Sequence, residues 1–443
     1  MTLVSRRGFN KGLAASIMAM YGAAYLPRQV WAEAAAALGF PSVAVVSGTN
    51  ADVAESYLRT ALEGLGGMGR FVKAGQSVAI KVNVTWDAPP NTASNTDPEL
   101  LRAMIKLVRE AGASRVIVTD HVIGSETSAS VTLPLSGIGK VLDETKVEKA
   151  VMAGMDESDD KYVTIDAPKS KIVDGKQFSV IKAAAQADVR INMAVAKSHI
   201  VTPVTMTLKH VMGLMRYPGY LHAAGLDQGI ADINTAPAIH CDLHLLEAFR
   251  VRLTGAAWGW GNESQADPRD PGGHKVVKRF NQLLVGTDPV LIDSYGANVF
   301  FKGYKPEAKG ILHILRASQM GLGEMDVEKA MAEGRMRPFK AGQPVAAPTA
   351  TPTAAATAVA TVAAGEPTAA LPTATPPKAA PTLPPAPTFA AEPGGGPSTG
   401  TSGTSDAVLS YVPAVSGALV PVVAIVAALG LVVRRRIALR ERS

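Results

Sequence analysis

One cysteine, Cys241, is present in 443 residues, and this scarcity excludes two things at once. No intramolecular disulfide can form, and no iron–sulfur cluster can be held by cysteines of this chain alone. Cys241 itself reads as a small core residue. A net positive charge is also lacking away from the ends. The whole chain carries a net +6 with a pI near 9.2, which on its face suggests a binder of nucleic acid or an anionic surface. Arg6, Arg7, Lys11 and Arg28 supply four of those charges, and Arg434, Arg435, Arg436, Arg440 and Arg442 less Glu441 supply four more. What lies between carries a net of −2, so nucleic acid drops out as a partner.

The ends have their own reading. Ser5-Arg6-Arg7-Gly8-Phe9-Asn10-Lys11, followed by a short apolar run from Gly12 to Leu26, reads as a twin-arginine export signal over residues 1–32, with a cut before Glu33. That run is too short for a bilayer, which needs about 20 apolar residues. The implied partner is the twin-arginine export machinery, which carries folded cargo.

Toward the other end, residues 344–405 hold thirteen prolines and three charged residues (Glu366, Lys378, Glu392) among Ala and Thr. Such a composition builds no core and predicts a disordered, semi-stiff stalk. Residues 407–433 are uncharged and rich in Val, Ala and Leu, long enough for one transmembrane helix in the lipid bilayer. Arg434-Arg435-Arg436 opens a basic tail, 434–443, that the positive-inside rule keeps in the cytoplasm. The body is then expected outside the cytoplasmic membrane, held there by a single pass.

The body, residues 39–339, is large enough for one domain or two lobes. Apolar runs at Val43 to Val46, Val78 to Val84, Arg115 to Thr119, Val189 to Val195, Ile239 to Leu245 and Leu283 to Val285 alternate with helical patterns. The clearest helix runs from Pro98, with Asp97 as N-cap and Gly112 past its end. This alternation predicts an α/β fold, a mostly parallel sheet with flanking helices. Gly64-Leu65-Gly66-Gly67-Met68-Gly69 follows a helix instead of opening one, the wrong context for a dinucleotide fingerprint.

Polar residues collect where these strands end, the place where open α/β sheets bind ligands. Lys81 and Asn83 follow one strand, and Asp120 with His121 closes another. Lys197-Ser198-His199 ends a third, while Asp288 and Asp293 follow the last. A helix over Thr205 to Leu214 would put Thr205 and Lys209 on one face. Three lysines, Lys81, Lys197 and Lys209, in comparable places point to an anionic small molecule. Lys197 and His199 are the candidate catalytic residues; Lys81, Asn83, Ser198, Thr205, Lys209, Asp120, Asp288 and Asp293 are the candidate ligand contacts. On a strand, His240, Asp242 and His244 would point one way, the pattern of a divalent metal site, against the alternative of a buried hydrogen-bonding network. Trp258-Gly259-Trp260-Gly261-Asn262-Glu263 has the composition of a pocket wall or lid.

Several of these stretches carry a resemblance. Val72 to Asn83, Asp97-Pro98-Glu99, Ala187 to Asn192, Ala196-Lys197-Ser198-His199, Thr207 to Gly213 and Asp288 to Asp293 together resemble the family catalogued as domain of unknown function 362, from about Val43 to Gly323. The family has no settled reaction. Some of its members hold ferredoxin-like cysteine clusters, which this chain lacks. Where the family often has Lys-Thr-His and Lys-Asn, this chain has Lys197-Ser198-His199 and Lys209-His210. A looser similarity to nickel-pincer lactate racemases implies an α/β site built from Lys and His. The expected function is a membrane-tethered domain that binds a small anion and performs metal-assisted proton or group transfer on it. In that expectation His199 is an acid/base or ligand, and Asp120 and Asp288 are orienting or metal-binding carboxylates. The alternative is a non-catalytic solute-binding or surface-interaction module displayed on a stalk.

Overall fold

The protein is described by a computed structural model covering residues 39–346, apart from residue 51 and segments 123–128, 154–158, 173–176, 255–260, 266–274 and 302–309. The export signal, the stalk beyond residue 346, the 407–433 segment, the basic tail and Trp258 to Trp260 lie outside the described residues. No described helix is long and apolar enough to cross a membrane.

A nine-stranded sheet runs through the described body. Its strands are β1 (Val43–Ser47), β2 (Ser77–Lys81), β3 (Arg115–Val122), β4 (Glu148–Ala153), β7 (Val189–Ser198), β8 (Val204–Thr205), β9 (Leu243–Arg252), β10 (Val277–Gly286) and β11 (Met336–Lys340). The order is β11-β1-β10-β9-β7-β2-β3-β4, with β8 hydrogen-bonded to β7. Within the eight-strand row only β10 runs against the others, and β8 is a two-residue antiparallel addition. The mostly parallel sheet expected from the strand–helix alternation is present. A separate antiparallel pair, β5 (Tyr162–Asp166) and β6 (Gln177–Ile181), makes a small second sheet.

The helices follow from local chemistry. α2 (Pro98–Glu110) begins where the Asp97 carboxylate accepts from the backbone N–H of Glu99 and Leu100, with Pro98 in the first turn. Such a cap contributes about 1 kcal/mol. Its stripe of Leu100, Leu101, Met104, Ile105, Leu107 and Val108 is buried, and Gly112, at φ 90°, lets the chain turn away. α1 (Ala54–Gly64), α3 (Ala129–Leu135), α4 (Ile138–Thr145) and α5 (Lys182–Ala185) precede the central strand β7. After it come α6 (Thr207–His210), α7 (Gly219–Ala224), α8 (Leu226–Asn234), α9 (Pro289–Phe300), α10 (Leu312–Gln319) and α11 (Val327–Ala332).

The period-2 alternation of the strands sorts two cores onto the two faces. Val78, Ile80, Val118, Ile191 and Leu245 pack with Leu58 and Met104 from α1 and α2. Ala79, Ile117, Ala194 and Leu246 pack on the other face with Leu208, Ile230 and Phe300 from α6, α8 and α9. Cys241 is buried in this second core. Lys81 follows Ala79 at the same parity, so its side chain emerges toward α6.

The sheet edge near β1 is tight. A Cβ on Gly286 would run into the carbonyl of Ser42 and the backbone of Val43, whereas one on Gly219, exposed at the start of α7, meets nothing within 4 Å. Gly286→Ala should therefore lower stability by about 1–3 kcal/mol, and Gly219→Ala should be neutral or stabilise by up to about 1 kcal/mol. Urea denaturation of the two variants beside the parent checks both signs.

Candidate functional site

Chain connections change direction between two neighbouring strands. From β2 the chain passes through α2 to β3 on one side, and from β7 it passes through α6 to α8 to β9 on the other. The segments after β2 and β7 thus leave the sheet in opposite senses, and the carboxyl ends at such a switch point are the usual ligand position in open α/β sheets. Lys81 and Lys197 stand at this point.

Lys81 is 3 % exposed and Asp120, at the end of β3, 1 %. The Lys81 ammonium donates to Asp120 Oδ1 at 2.7 Å, to Val82 O at 2.8 Å and to His210 Nε2 at 2.9 Å. Three acceptors match its three hydrogens. The second oxygen of Asp120 accepts from the backbone N–H of Val84. Behind His210 stands Asn192 of β7, whose Nδ2 donates to the carbonyl of Thr207 and to His244 Nδ1. A carbonyl accepts only, so the Asn192 amide is oriented with Oδ1 toward His210 Nδ1, and that nitrogen holds the His210 proton. Burial, and then the charge of Lys81, keeps His210 well below the usual histidine range, hence neutral.

Gly213 closes over this assembly. A Cβ there would stand 2.6 Å from Asp120 Oδ1 and 2.8 Å from Lys81 Nζ.

Lys197 has a different environment. It is 2 % exposed and donates to Asn83 Oδ1 at 3.0 Å and to Ser94 O at 2.6 Å. Those acceptors lie in the segment after β2, which Thr96 pins to β7 by donating to Met193 O while accepting from the N–H of Asn83. Burial first, and the charge of Lys209 second, hold the Lys197 amine well below the ordinary lysine range. The hydroxyls of Ser94, whose carbonyl accepts from Lys197, and of the adjacent Ser198 are buried and have no hydrogen-bond partner among the described residues.

Lys209 occupies the short helix α6 and is partly exposed. Among the described residues no acceptor lies within hydrogen-bonding reach of its ammonium. Burial and the Lys81 charge push it down to about 8. Its field reaches Lys197, His199, His222 and His313 and lowers all four, in each case second to burial or further down the order of causes.

His199 Nδ1 accepts from the backbone N–H groups of Val201 and Thr202, so its proton sits on Nε2. The His199 and His222 rings lie with centroids 6.4 Å apart. His199 is therefore a neutral N–H donor in this arrangement. The expected acid/base or metal-ligand role would need the other tautomer at Nε2.

Several expected contacts are placed otherwise. Asp288 caps α9, accepting from Leu291 N and Glu324 N. Asp293 accepts from the N–H and hydroxyl of Thr207 and from Leu208 N, fixing the start of α6. Burial raises these carboxyls to about 6 and about 7. Asp288 thus holds the start of α9, and Asp293 the start of α6, the helix that carries Lys209. Thr205 is in β8, paired with Lys197, and the helix starts only at Thr207, so the i,i+4 pairing with Lys209 does not form.

The histidine triad does not gather either. Residues Pro237–Ile239 form a turn and β9 starts at Leu243, so only His244 lies on the strand. Asp242 is turned to the β7 backbone, accepting from Arg190 N at 2.8 Å, while the His240 carbonyl accepts from Arg190 Nε. Among the described residues no three His, Cys, Asp or Glu side chains cluster as a metal ion would require.

Four residues joined the site without being singled out in advance. Asn192 carried a signal, a polar residue inside the apolar run Val189 to Val195. Ser94, Thr96 and His313 carried none, because each acts across a long sequence separation.

Residues 78–298 match the family described as Domain of unknown function (DUF362). The thylakoid-associated protein sll1697 of Synechocystis sp. is 32 % identical over 227 residues, which cover 48 % of this chain. The matched region spans 63 % of that relative's length. Among solved structures, the lactate racemase apoprotein from Thermoanaerobacterium thermosaccharolyticum is similar at 13 % identity with a TM-score of 0.29, covering 47 % of this chain and 51 % of the other.

The Lys81–Asp120 pair gives a direct expectation. Removing one member strands the other in the interior, so Lys81→Met should cost about 3–5 kcal/mol, and adding Asp120→Asn should return much of it. Equal losses in the single and double variants, measured by urea denaturation, would show that the two do not act as a unit.

Proposed function

We propose that the strand ends between β2 and β7 bind a small anion against Lys209, with the Nε2–H of His199 as a neutral donor and Lys197 beside it, in a domain that acts catalytically on that anion. One observation carries this reading: Lys209 has no acceptor among the described residues, although its surroundings hold further cations. Lys81 weighs on Lys209 and, with Arg252, on neighbouring Lys197, and Asp120 is already committed to Lys81. An ammonium partly withdrawn from water without a counter-charge is costly, and an incoming carboxylate or phosphate removes that cost. The family match supports an α/β domain of this kind without naming a reaction.

The location follows from the ends of the chain. We propose export by the twin-arginine route through Arg6 and Arg7, and retention at the membrane through residues 407–433 with the body outside the cytoplasm.

The pH dependence has a definite sign. Because Lys209 in the fold lies near 8, below the ordinary value of about 10.4, the unfolded chain binds more protons between those limits. Stability of the ligand-free protein should therefore rise with pH across that window. Anion binding runs the other way, falling as pH passes about 8 because the bound form needs the ammonium. Thermal shifts with phosphate, oxalate and small carboxylates should show stabilisation near pH 7 that fades toward pH 9 and is lost in Lys209→Met. Stabilisation retained in that variant would sink the reading.

For location, Arg6→Lys with Arg7→Lys should leave the protein in the cytoplasm, and a stop codon at position 407 should release it from the membrane fraction. Fractionation followed by blotting reads both.

A further inference from the structure

Lys81 and Lys197 are both buried at neighbouring strand ends, and counting their acceptors separates them. Lys81 has three, one for each hydrogen of an ammonium. Lys197 has two, Asn83 Oδ1 and Ser94 O, and among the described residues no third acceptor or carboxylate touches it. Two donated hydrogens and one remaining lone pair describe a neutral amine. The charged groups acting on it agree. After burial, Lys209, Arg252 and Lys81 all disfavour a further positive charge, and among the described residues Asp120, whose oxygens are engaged by Lys81 and Val84, opposes them. An amine kept uncharged by burial among cations is the activated form of a lysine nucleophile.

The neighbours of Lys197 suggest what it would attack. Lys209 is the cation that weighs most on it, and among the described residues Lys209 has no counter-charge. A substrate that presents an anionic group to Lys209 and an electrophilic carbon to Lys197 would satisfy both. We propose that Lys197 forms an imine with the carbonyl carbon of a small oxo acid whose carboxylate rests against Lys209.

This proposal rests on the anion-binding role of Lys209 set out above. In the step, the Lys197 nitrogen lone pair forms the new C–N bond and the carbonyl C–O bond breaks. Both amine hydrogens leave with that oxygen as water, so no oxidant or reductant is needed. Protonation of the imine nitrogen then restores one N–H to Asn83 Oδ1 or Ser94 O. The Nε2–H of His199 is a further donor for the carboxylate.

The test uses the full-length protein at pH 7 with glyoxylate and, separately, the neutral aldehyde acetaldehyde, each in the presence of cyanoborohydride, followed by peptide mass spectrometry. Glyoxylate should carboxymethylate Lys197 on the order of a hundredfold more than a solvated lysine, since at that pH a lysine of ordinary pKa is almost wholly protonated. Acetaldehyde should modify Lys197 less than glyoxylate does, and Lys209→Gln should erase the advantage of glyoxylate. Mapping the adduct in the unaltered protein makes the result independent of whether Lys197→Met folds.

If neither probe modifies Lys197 above the level of surface lysines, the imine proposal is overturned, and thermal stabilisation by glyoxylate in the same samples would leave the anion site standing. Equal modification by both probes would instead overturn the oxo-acid assignment by removing the role of Lys209.

Discussion

A buried ammonium imposes more on its surroundings than almost any other group, because each of its hydrogens must find an acceptor away from water. Lys81 meets that demand with acceptors from three places: Asp120 on β3, His210 on α6 and the carbonyl of Val82 at its own strand end. Each acceptor is fixed in turn. Asp120 uses its other oxygen on Val84 N, and His210 is held by Asn192 of β7. The network therefore joins β2, β3, β7 and α6 across the sheet, and Gly213 is the residue whose missing side chain leaves room for it. Sequence positions 81, 120, 192 and 210 become one structural unit.

On that floor the binding elements are held with little freedom. The segment after β2 is closed on itself by Asn95, which bonds the backbone of Trp86 at both N–H and carbonyl, and is pinned to β7 by Thr96. The segment after β7 turns around the His199 ring through two backbone N–H groups. The start of α6 is fixed by Asp293 from α9, itself buried almost all round. Lys209 is thus carried on a short helix tied at its start by Asp293 and at its end by His210. Preorganisation of this kind lowers the ordering cost of binding, which matters most for a small ligand with few contacts.

Much of this was legible in the sequence, and the limits have physical causes. Strand positions at Val43, Ser77, Arg115 and Val189 and the Asp97-capped helix follow from apolar periodicity and local capping, both short-range signals. Lys81, Asn83, Asp120, Lys197 and Lys209 stand out in the sequence by their places at or just after strand ends, where open α/β sheets bind ligands. What periodicity could not reveal was how each polar group spends its hydrogens. Asp288 and Asp293 read as ligand contacts, yet backbone amides more than a few residues away claim them. His240, Asp242 and His244 share one side only on a continuous strand, and the turn at Pro237–Ile239 delays that strand to Leu243. Thr205 was assigned to a helix because the two-residue pairing of β8 with β7 leaves no periodic trace.

The three lysines first resembled one another: same residue, same layer, same inferred task of neutralising an anion. Acceptor counting divides that task. Lys81 is saturated and serves the scaffold; after burial, its charge is the next cause lowering the proton affinity of Lys209 and His210, and a smaller one acting on Lys197. Lys209 keeps its charge near neutral pH and has no acceptor among the described residues, the condition for attracting an anion. Lys197, with two acceptors and cations around it, is left with a lone pair, the condition for bonding to carbon. A saturated cation, an ammonium with no acceptor among the described residues and an amine with two acceptors are distinct environments, and they are linked: together with burial, the charge of Lys81 lowers the proton affinity of the other two lysines. The Lys81–Asp120 pair therefore belongs to the chemistry of the site as well as to its stability, even though neither residue need touch a ligand.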